Sequence, residues 1–357
     1  MKSRSPYLRS KRKLLEPEPK LELPGGSFMF RIIFPVLACL CLLFGAPDSG
    51  QAAPTIIRFS HVVGDDTPKG QAALKLKSIV EERMGDRFVV EVYPNSSLFD
   101  DDQIFEALLL DDAQMAAPSL SKFTVYTKSL QVFDLPFLFQ DLTAVDRFQK
   151  SPEGQALLTS FTDRGLLGLG YLHNGMKQLS ANRKLSVPQD ATGLKFRIQP
   201  SEVLKAQFAA IGAEAVPKPF SQVFSLLSTG VLDGQENTWS NIYSQKFHTA
   251  QTHITESNHG LLDYMVVTSV NFWEGLSSED QRDLRAAVEE AIAFANDLAG
   301  KIEQADRQKV VDAGTAEVVQ LSRNERNQWV EAMRPVWQQF EDGIGRDLIN
   351  KAYGANQ

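Results

Sequence analysis

Thr55-Ile-Ile-Arg-Phe-Ser, a helical stretch over residues 67–84, then Phe88-Val-Val-Glu-Val-Tyr and the stop Pro94-Asn95: this run decides the fold. The first segment alternates and is rich in β-branched residues, the pattern of a strand. The second carries Ala72, Ala73, Leu76, Ile79 and Val80 on one helical face and ends at Gly85. Strand, helix and strand make one βαβ unit, and a chain built from such units is α/β with a mostly parallel sheet.

Working outward, the spacing predicts a helix over 100–110 and a short buried strand over 113–117. A second unit of similar style follows. It has a strand over 166–172, a loop through Asn174-Gly175, a strand over 195–199, a helix over 201–211 closed by Gly212, and a helix over 221–228 closed by Gly230. From 278 to about 311 the pattern is helical, with Leu284, Val288, Ala291, Ala295, Leu298 and Ile302 on one stripe and Ser277-x-x-Asp280 as the cap. One long helix is therefore expected to brace the molecule. Trp329, Val330, Met333, Trp337 and Phe340 stand at helical spacing near the C-terminus and read as core packing.

In the other direction lies residues 32–44, an apolar run too short to cross a bilayer as a helix but suited to the core of a signal peptide. Residues 1–52 read as a leader. Met29 offers a better start than Met1, because Met-Phe-Arg leads directly into the apolar core. Gly50 and Ala52 place cleavage after Ala52 or Ala53. Cys39 could instead be a lipid-attachment cysteine, although more apolar core follows it. Both cysteines, Cys39 and Cys41, fall in the leader, so the exported domain has no thiol for a disulfide or a metal. The 357-residue chain carries 37 basic and 44 acidic residues. Without the leader 29 basic and 40 acidic remain, a net charge of about −11, which argues against nucleic acid and anionic membranes as partners. An anion bound by such a protein must be held by a few buried cations.

No catalytic constellation emerges. Gly-x-Ser-x-Gly, a phosphate-cradling loop and His-Glu-x-x-His are all missing, and no cofactor or metal is implied. His248 and His253 have no third ligand nearby and read as surface histidines. The segments that draw notice carry cations or amides beside strand ends. In Gly193-Leu-Lys-Phe-Arg-Ile-Gln-Pro-Ser, Arg197 lies near the carboxyl end of a strand, where ligands of open α/β sheets collect and a guanidinium can grip a carboxylate with two hydrogen bonds. It reads equally as an arginine paired with a surface acid. In Asp233-Gly-Gln-Glu-Asn-Thr-Trp-Ser-Asn, Asn237 could donate to a ligand and Trp239 could wall it, or Trp239 could belong to the core. Lys122 and Lys177 follow expected strands, as ligand loops do, or are simply solvated.

Together these segments resemble the solute receptors of tripartite ATP-independent periplasmic (TRAP) transporters, the DctP family. The resemblance runs through Arg58-Phe-Ser-His-Val-Val, Asp66-Thr-Pro-Lys-Gly, Val92-Tyr-Pro-Asn-Ser, Met115-Ala-Ala-Pro-Ser-Leu-Ser-Lys-Phe, Phe133-Asp-Leu-Pro-Phe-Leu-Phe, Gly193-Leu-Lys-Phe-Arg, Asp233-Gly-Gln-Glu-Asn, Ser240-Asn-Ile-Tyr-Ser and Asn258-His-Gly. It implies a two-domain periplasmic solute-binding fold with a hinge and a long bracing helix. The first domain would take residues 53–177 with about 264–320, and the second 178–263 with the C-terminal helices. The resemblance also implies a carboxylate ligand held by Arg197, hydrogen-bonded by Asn237 and lined by Phe220. Lys177 would be a second cation and Ser119 a contact from the first domain, with His61, Lys69 or Lys122 at the ligand's far end. Phe99 and Thr238 depart from a usual glycine and proline, which leaves the fine substrate preference open.

The function this implies is capture in the periplasm of a small organic acid, a four-carbon dicarboxylate such as malate, succinate or fumarate, for a membrane permease of one small and one large subunit driven by an ion gradient. A 2-oxo acid or sugar acid is the alternative ligand, and a ligand-binding input to a sensor the alternative role. Either way the mature protein is expected to be outside the membrane and not an enzyme.

Overall fold

The structure, a computed structural model, describes residues 53–357. The expected leader, the Met29 start and both cysteines lie outside the described residues. In chain order the elements are β1 (Thr55–Ser60), α1 (Pro68–Met84), β2 (Phe88–Tyr93), α2 (Ile104–Leu109) and β3 (Met115–Ala116), then two 3-10 segments (Leu120–Val125 and Ser129–Asp134). There follow α3 (Leu142–Lys150), α4 (Pro152–Leu157), β4 (Leu166–Ala181), β5 (Lys195–Ile198), α5 (Glu202–Ala210), β6 (Glu214–Pro217), α6 (Val223–Ser228), β7 (Gly234–Asn237), α7 (Trp239–Ser244) and α8 (Phe247–Ala250). The chain closes with β8 (His253–Ser269), α9 (Val270–Glu274), α10 (Ser278–Ala313), β9 (Glu317–Gln320), α11 (Arg323–Met333), α12 (Val336–Ile344) and α13 (Arg346–Gly354).

The expected βαβ unit forms. Thr67 caps α1 by accepting from the Gly70 amide, the predicted stripe is buried, and β1 pairs parallel with β2. Five of the sheet's eight strand pairings are parallel, as expected, but its middle is antiparallel. Its order is β2-β1-β3-β8-β4-β7-β5-β6, with β9 on β8, and its centre is the long antiparallel pair β4 and β8. One end of that ribbon carries β1, β2 and β3. The other carries β5, β6 and β7, with β9 beside the start of β8. Two lobes therefore share two continuous strands, and a small change of twist in those strands reorients one lobe against the other.

The loop expected through Asn174-Gly175 does not exist. β4 runs straight through it, because β8 supplies hydrogen-bond partners along its length, and the Asn-Gly pair appears only as a register irregularity between His173 and Gly175. The helix expected over 100–110 begins only at Ile104, so that the three aspartates before it sit in turns. His248 is buried rather than on the surface: it stacks on Tyr243, and its Nδ1 meets the Ile242 carbonyl.

The predicted bracing helix is α10, 36 residues capped by Ser277 as expected, and thus about 54 Å long. Its first half packs on α1 and β4 and its later half on α7. Leu284, Val288, Ala291 and Ala295 enter the core with Ile57, Phe59, Leu76 and Val80. Trp329 and Met333 fill a second core with Phe196 and Phe208, as their spacing predicted, and the Trp329 indole donates to the Ser186 carbonyl at 3.0 Å. Val330, Trp337 and Phe340 are only half-buried. Among the described residues no helix is long and apolar enough to cross a membrane.

Candidate functional site: a cleft around a buried guanidinium

β5 lies between β6 and β7, which makes it an interior strand with both edges paired. Phe196 and Ile198 go to the core, and Arg197, on the opposite face, is only 2% exposed. Its Nε donates to the Lys218 carbonyl at 3.0 Å and its guanidinium lies 5.7 Å from the Phe220 ring centroid. Its Nη2 is buried with no partner among the described residues. Burial disfavours the charge and Asp101 and Glu236 partly offset that, but an arginine stays protonated at any ordinary pH. A desolvated cation with an unused donor calls for an anion.

The same small cavity is walled by Lys177, Asn237 and Phe220, all expected, and by Val62, Val63, Asp101, Gln199, Glu236, Asn241, Leu262 and Tyr264, none of them expected. Asn237 ends β7, and its Oδ1 accepts from Asn241 Nδ2 at 2.8 Å. Its remaining capacity is to donate. Lys177 does reach the cavity, yet its Nζ is 2.6 Å from Glu236 Oε1, and both side chains are 2% exposed. Glu236 also takes His259 Nε2 at 2.9 Å and Gln207 Nε2 at 3.2 Å. Burial works to raise the Glu236 carboxyl; Lys177 and His259 outweigh it and hold it at about 2. The charge of Lys177 is thus already answered, which distinguishes it from Arg197.

The other expected residues surround the cavity without lining it. Ser119 accepts from Gln199 Nε2 at 2.5 Å, a bond from the first lobe to the second. Lys122 is paired with Asp102 at 2.6 Å. Lys69 donates to the Ala117 carbonyl at 3.0 Å and sits 3.6 Å from the centroid of the Tyr264 ring. His61 is buried with both ring nitrogens unpartnered, and burial together with the Lys69 charge pushes it down to about 3, so it is neutral. Trp239 is a core residue rather than a wall: it packs with Phe220, Ile242 and Phe247, and Arg307 lies against its ring.

Burial lowers Lys69 to about 8, which gives a prediction of definite sign. Between about pH 8 and the ordinary lysine value of 10.5 the unfolded chain binds the extra proton, so stability rises with pH across that window. Relative to Lys69→Met, the wild type should gain on the order of 3 kcal/mol from pH 7.5 to 10.5 in urea unfolding. A constant difference would show that Lys69 is solvated in the folded protein.

Two further bonds cross the cleft. Ser221 Oγ donates to Asp100, and Ser201 Oγ donates at 2.6 Å to Asp134, which Ser121 Oγ of the same lobe also holds at 2.5 Å. With these made, the free volume of the cavity is about 10 Å³, room for about one water. A larger groove of about 780 Å³ lies between α3, α4 and α10. It sets Lys150 and Lys301 against Asp146, Glu289 and Asp297, so its charge does not select an anion. The chemistry is in the smaller cavity.

Two lobes joined by a shared ribbon, closing on a buried unpaired cation, define a solute-binding protein. Residues 59–343 match the family described as bacterial extracellular solute-binding protein, family 7 (DctP), and the chain belongs to that family. It is 55% identical over 321 residues to the C4-dicarboxylate-binding periplasmic protein DctP of Shewanella loihica, covering 90% of this chain and 96% of that protein. Among solved structures it resembles a TRAP periplasmic solute-binding protein from Shewanella oneidensis with bound succinate, at TM-score 0.85 and 56% identity, over 85% of this chain and 100% of that one. It also resembles one from Pseudomonas aeruginosa with bound L-malate, at TM-score 0.79 and 49% identity, over 80% of this chain and 100% of that one.

Proposed function

We propose that this protein is the periplasmic receptor of a TRAP transporter, exported by its leader, that binds a four-carbon dicarboxylate and passes it unchanged to a membrane permease of one small and one large subunit. The observation that carries the reading is the buried Nη2 of Arg197, a charged donor without a partner in a cleft between two lobes. One ligand carboxylate takes both outer donors of that guanidinium, and Asn237 donates to it. The second carboxylate lies toward Tyr264 and Asn241, within reach of Lys69, which exchanges the Ala117 carbonyl for it. Neutral His61 serves there as a hydrogen-bond donor. Entry requires the cross-cleft bonds to open, with residues 53–177 and about 264–320 moving against 178–263 and the C-terminal helices. Succinate and malate, bound by relatives about half identical to this chain, are the first ligands to test.

A thermal-shift screen over small organic acids provides that test. A ligand at a hundred times its dissociation constant adds about 2.7 kcal/mol to stability, so succinate or malate should raise the unfolding midpoint clearly. A larger rise with a uronate or a 2-oxo acid would overturn the ligand and spare the receptor. Recovery of a chemically altered acid after incubation would overturn the binding-only role.

A further inference from the structure

We propose that Glu303 is a positioning residue that couples occupancy of the cleft to the long helix α10 by holding the start of α7. The inference rests on the site assigned above and concerns a residue outside its walls. α7 begins two residues after Asn237, and the side chain of its cap residue Thr238 accepts from none of the helix's first amides. The first amides of a helix need acceptors from elsewhere. Here Glu303, projecting from α10, accepts from the Trp239 amide at 3.0 Å and the Ser240 amide at 2.8 Å.

The contact is built into β4 as well. A Cβ at Gly175 would stand 2.6 Å from the Glu303 carboxylate, so only glycine lets α10 bring its acid this close to the strand. Next to it, Asn174 donates to Thr238 Oγ1 at 2.6 Å and accepts from Ser240 Oγ at 3.0 Å. One turn into α7, Asn241 donates to Asn237 Oδ1 and, at 3.3 Å, to the Tyr264 hydroxyl, and all three of these side chains wall the cavity. A continuous set of hydrogen bonds therefore runs from the ligand cavity through α7 to α10. Burial raises the Glu303 carboxyl to about 7 against the pull of the two amides, which places an expensive buried acid at this junction. α10 packs on α1 and β4 in one lobe and meets α7 of the other lobe here. When the second lobe moves on its ligand, Glu303 is where that motion meets the helix.

The test combines calorimetry with hydrogen exchange on the full-length protein, with succinate as the probe. Wild type should gain protection on binding in two places, residues 237–244 and residues 298–308. Glu303→Gln keeps the shape but presents an amide NH₂ where a carboxylate oxygen accepted. It should bind succinate at least tenfold more weakly and, at saturating succinate, lose the gain in 298–308 while keeping protection around Arg197. A merely structural role would leave that ligand-dependent pattern intact once the site is filled. Gly175→Ala, which leaves the acid in place but displaces it, should give the same pattern and serves if Glu303→Gln does not fold. Wild-type protection in 298–308 with affinity within twofold in these variants overturns the coupling alone. Failure of the wild type to bind succinate overturns the site assignment and the coupling with it.

Discussion

Arg197→Ala should remain folded and lose succinate binding by roughly 2–5 kcal/mol, the range for removing one partner of a desolvated charged pair. The size follows from the strand. Arg197 sits on an interior strand at 2% exposure with Nη2 unpartnered, so the ligand carboxylate meets a cation that has already left water, and excluding water from the cleft strengthens their attraction. Truncation removes the one cation lining the cavity that has no ion-pair partner among the described residues, since Lys177 is already bound to Glu236. Arg197→Lys keeps the charge but loses the planar fork, and should fall between the two. Because a ligand closes a cleft only by its differential affinity for the closed form, Arg197→Ala should also show no succinate-dependent compaction in small-angle scattering. Normal affinity and normal compaction in that variant would make Arg197 a structural arginine.

Lys177→Met should destabilise the protein by about 3–5 kcal/mol, because it strands a buried carboxylate with only His259 and Gln207 to answer it. The double variant Lys177→Met with Glu236→Gln should recover much of that loss, and urea unfolding of the four proteins measures the coupling. The pH dependence has a definite sign. Glu236 is held at about 2 against an ordinary 4.5, so its stabilisation is complete above about pH 4.5 and is lost as pH falls toward 2. Without Lys177 burial is opposed only by His259, the folded carboxyl rises toward or above its ordinary value, and this acid-side loss should shrink. A single variant as stable as wild type would mean that water reaches the pair.

How much of this was legible in the sequence depends on what each residue answers to. Local pattern fixes caps and faces, so α1, with its buried stripe and Thr67 cap, and α10, with Ser277, were readable directly. The fork at Arg197 was readable as a cation on a strand end, but its place on an interior strand depends on β6 and β7, which arrive from later in the chain to pair both edges of β5. β8 was not readable. His253–Ser269 mixes Glu256, Ser257, Asn258 and His259 with a later apolar run, and only pairing with β4 makes one strand of it. Leu262 and Tyr264, which it brings to the cavity, were missed for that reason. Asn174-Gly175 carried a turn signal that long-range pairing overrode, and the glycine there answers to Glu303, more than a hundred residues later. Trp239 shows the same limit: a motif can place an aromatic residue near a ligand without saying which way it faces.

A crystal structure of the protein with succinate tests the central claim most directly. The account predicts one carboxylate seated on both outer nitrogens of Arg197, with Asn237 donating to it, and the second carboxylate beside Tyr264. Succinate found in the groove between α3 and α10, or held in the cleft with Arg197 still turned only to the Lys218 carbonyl, would contradict it.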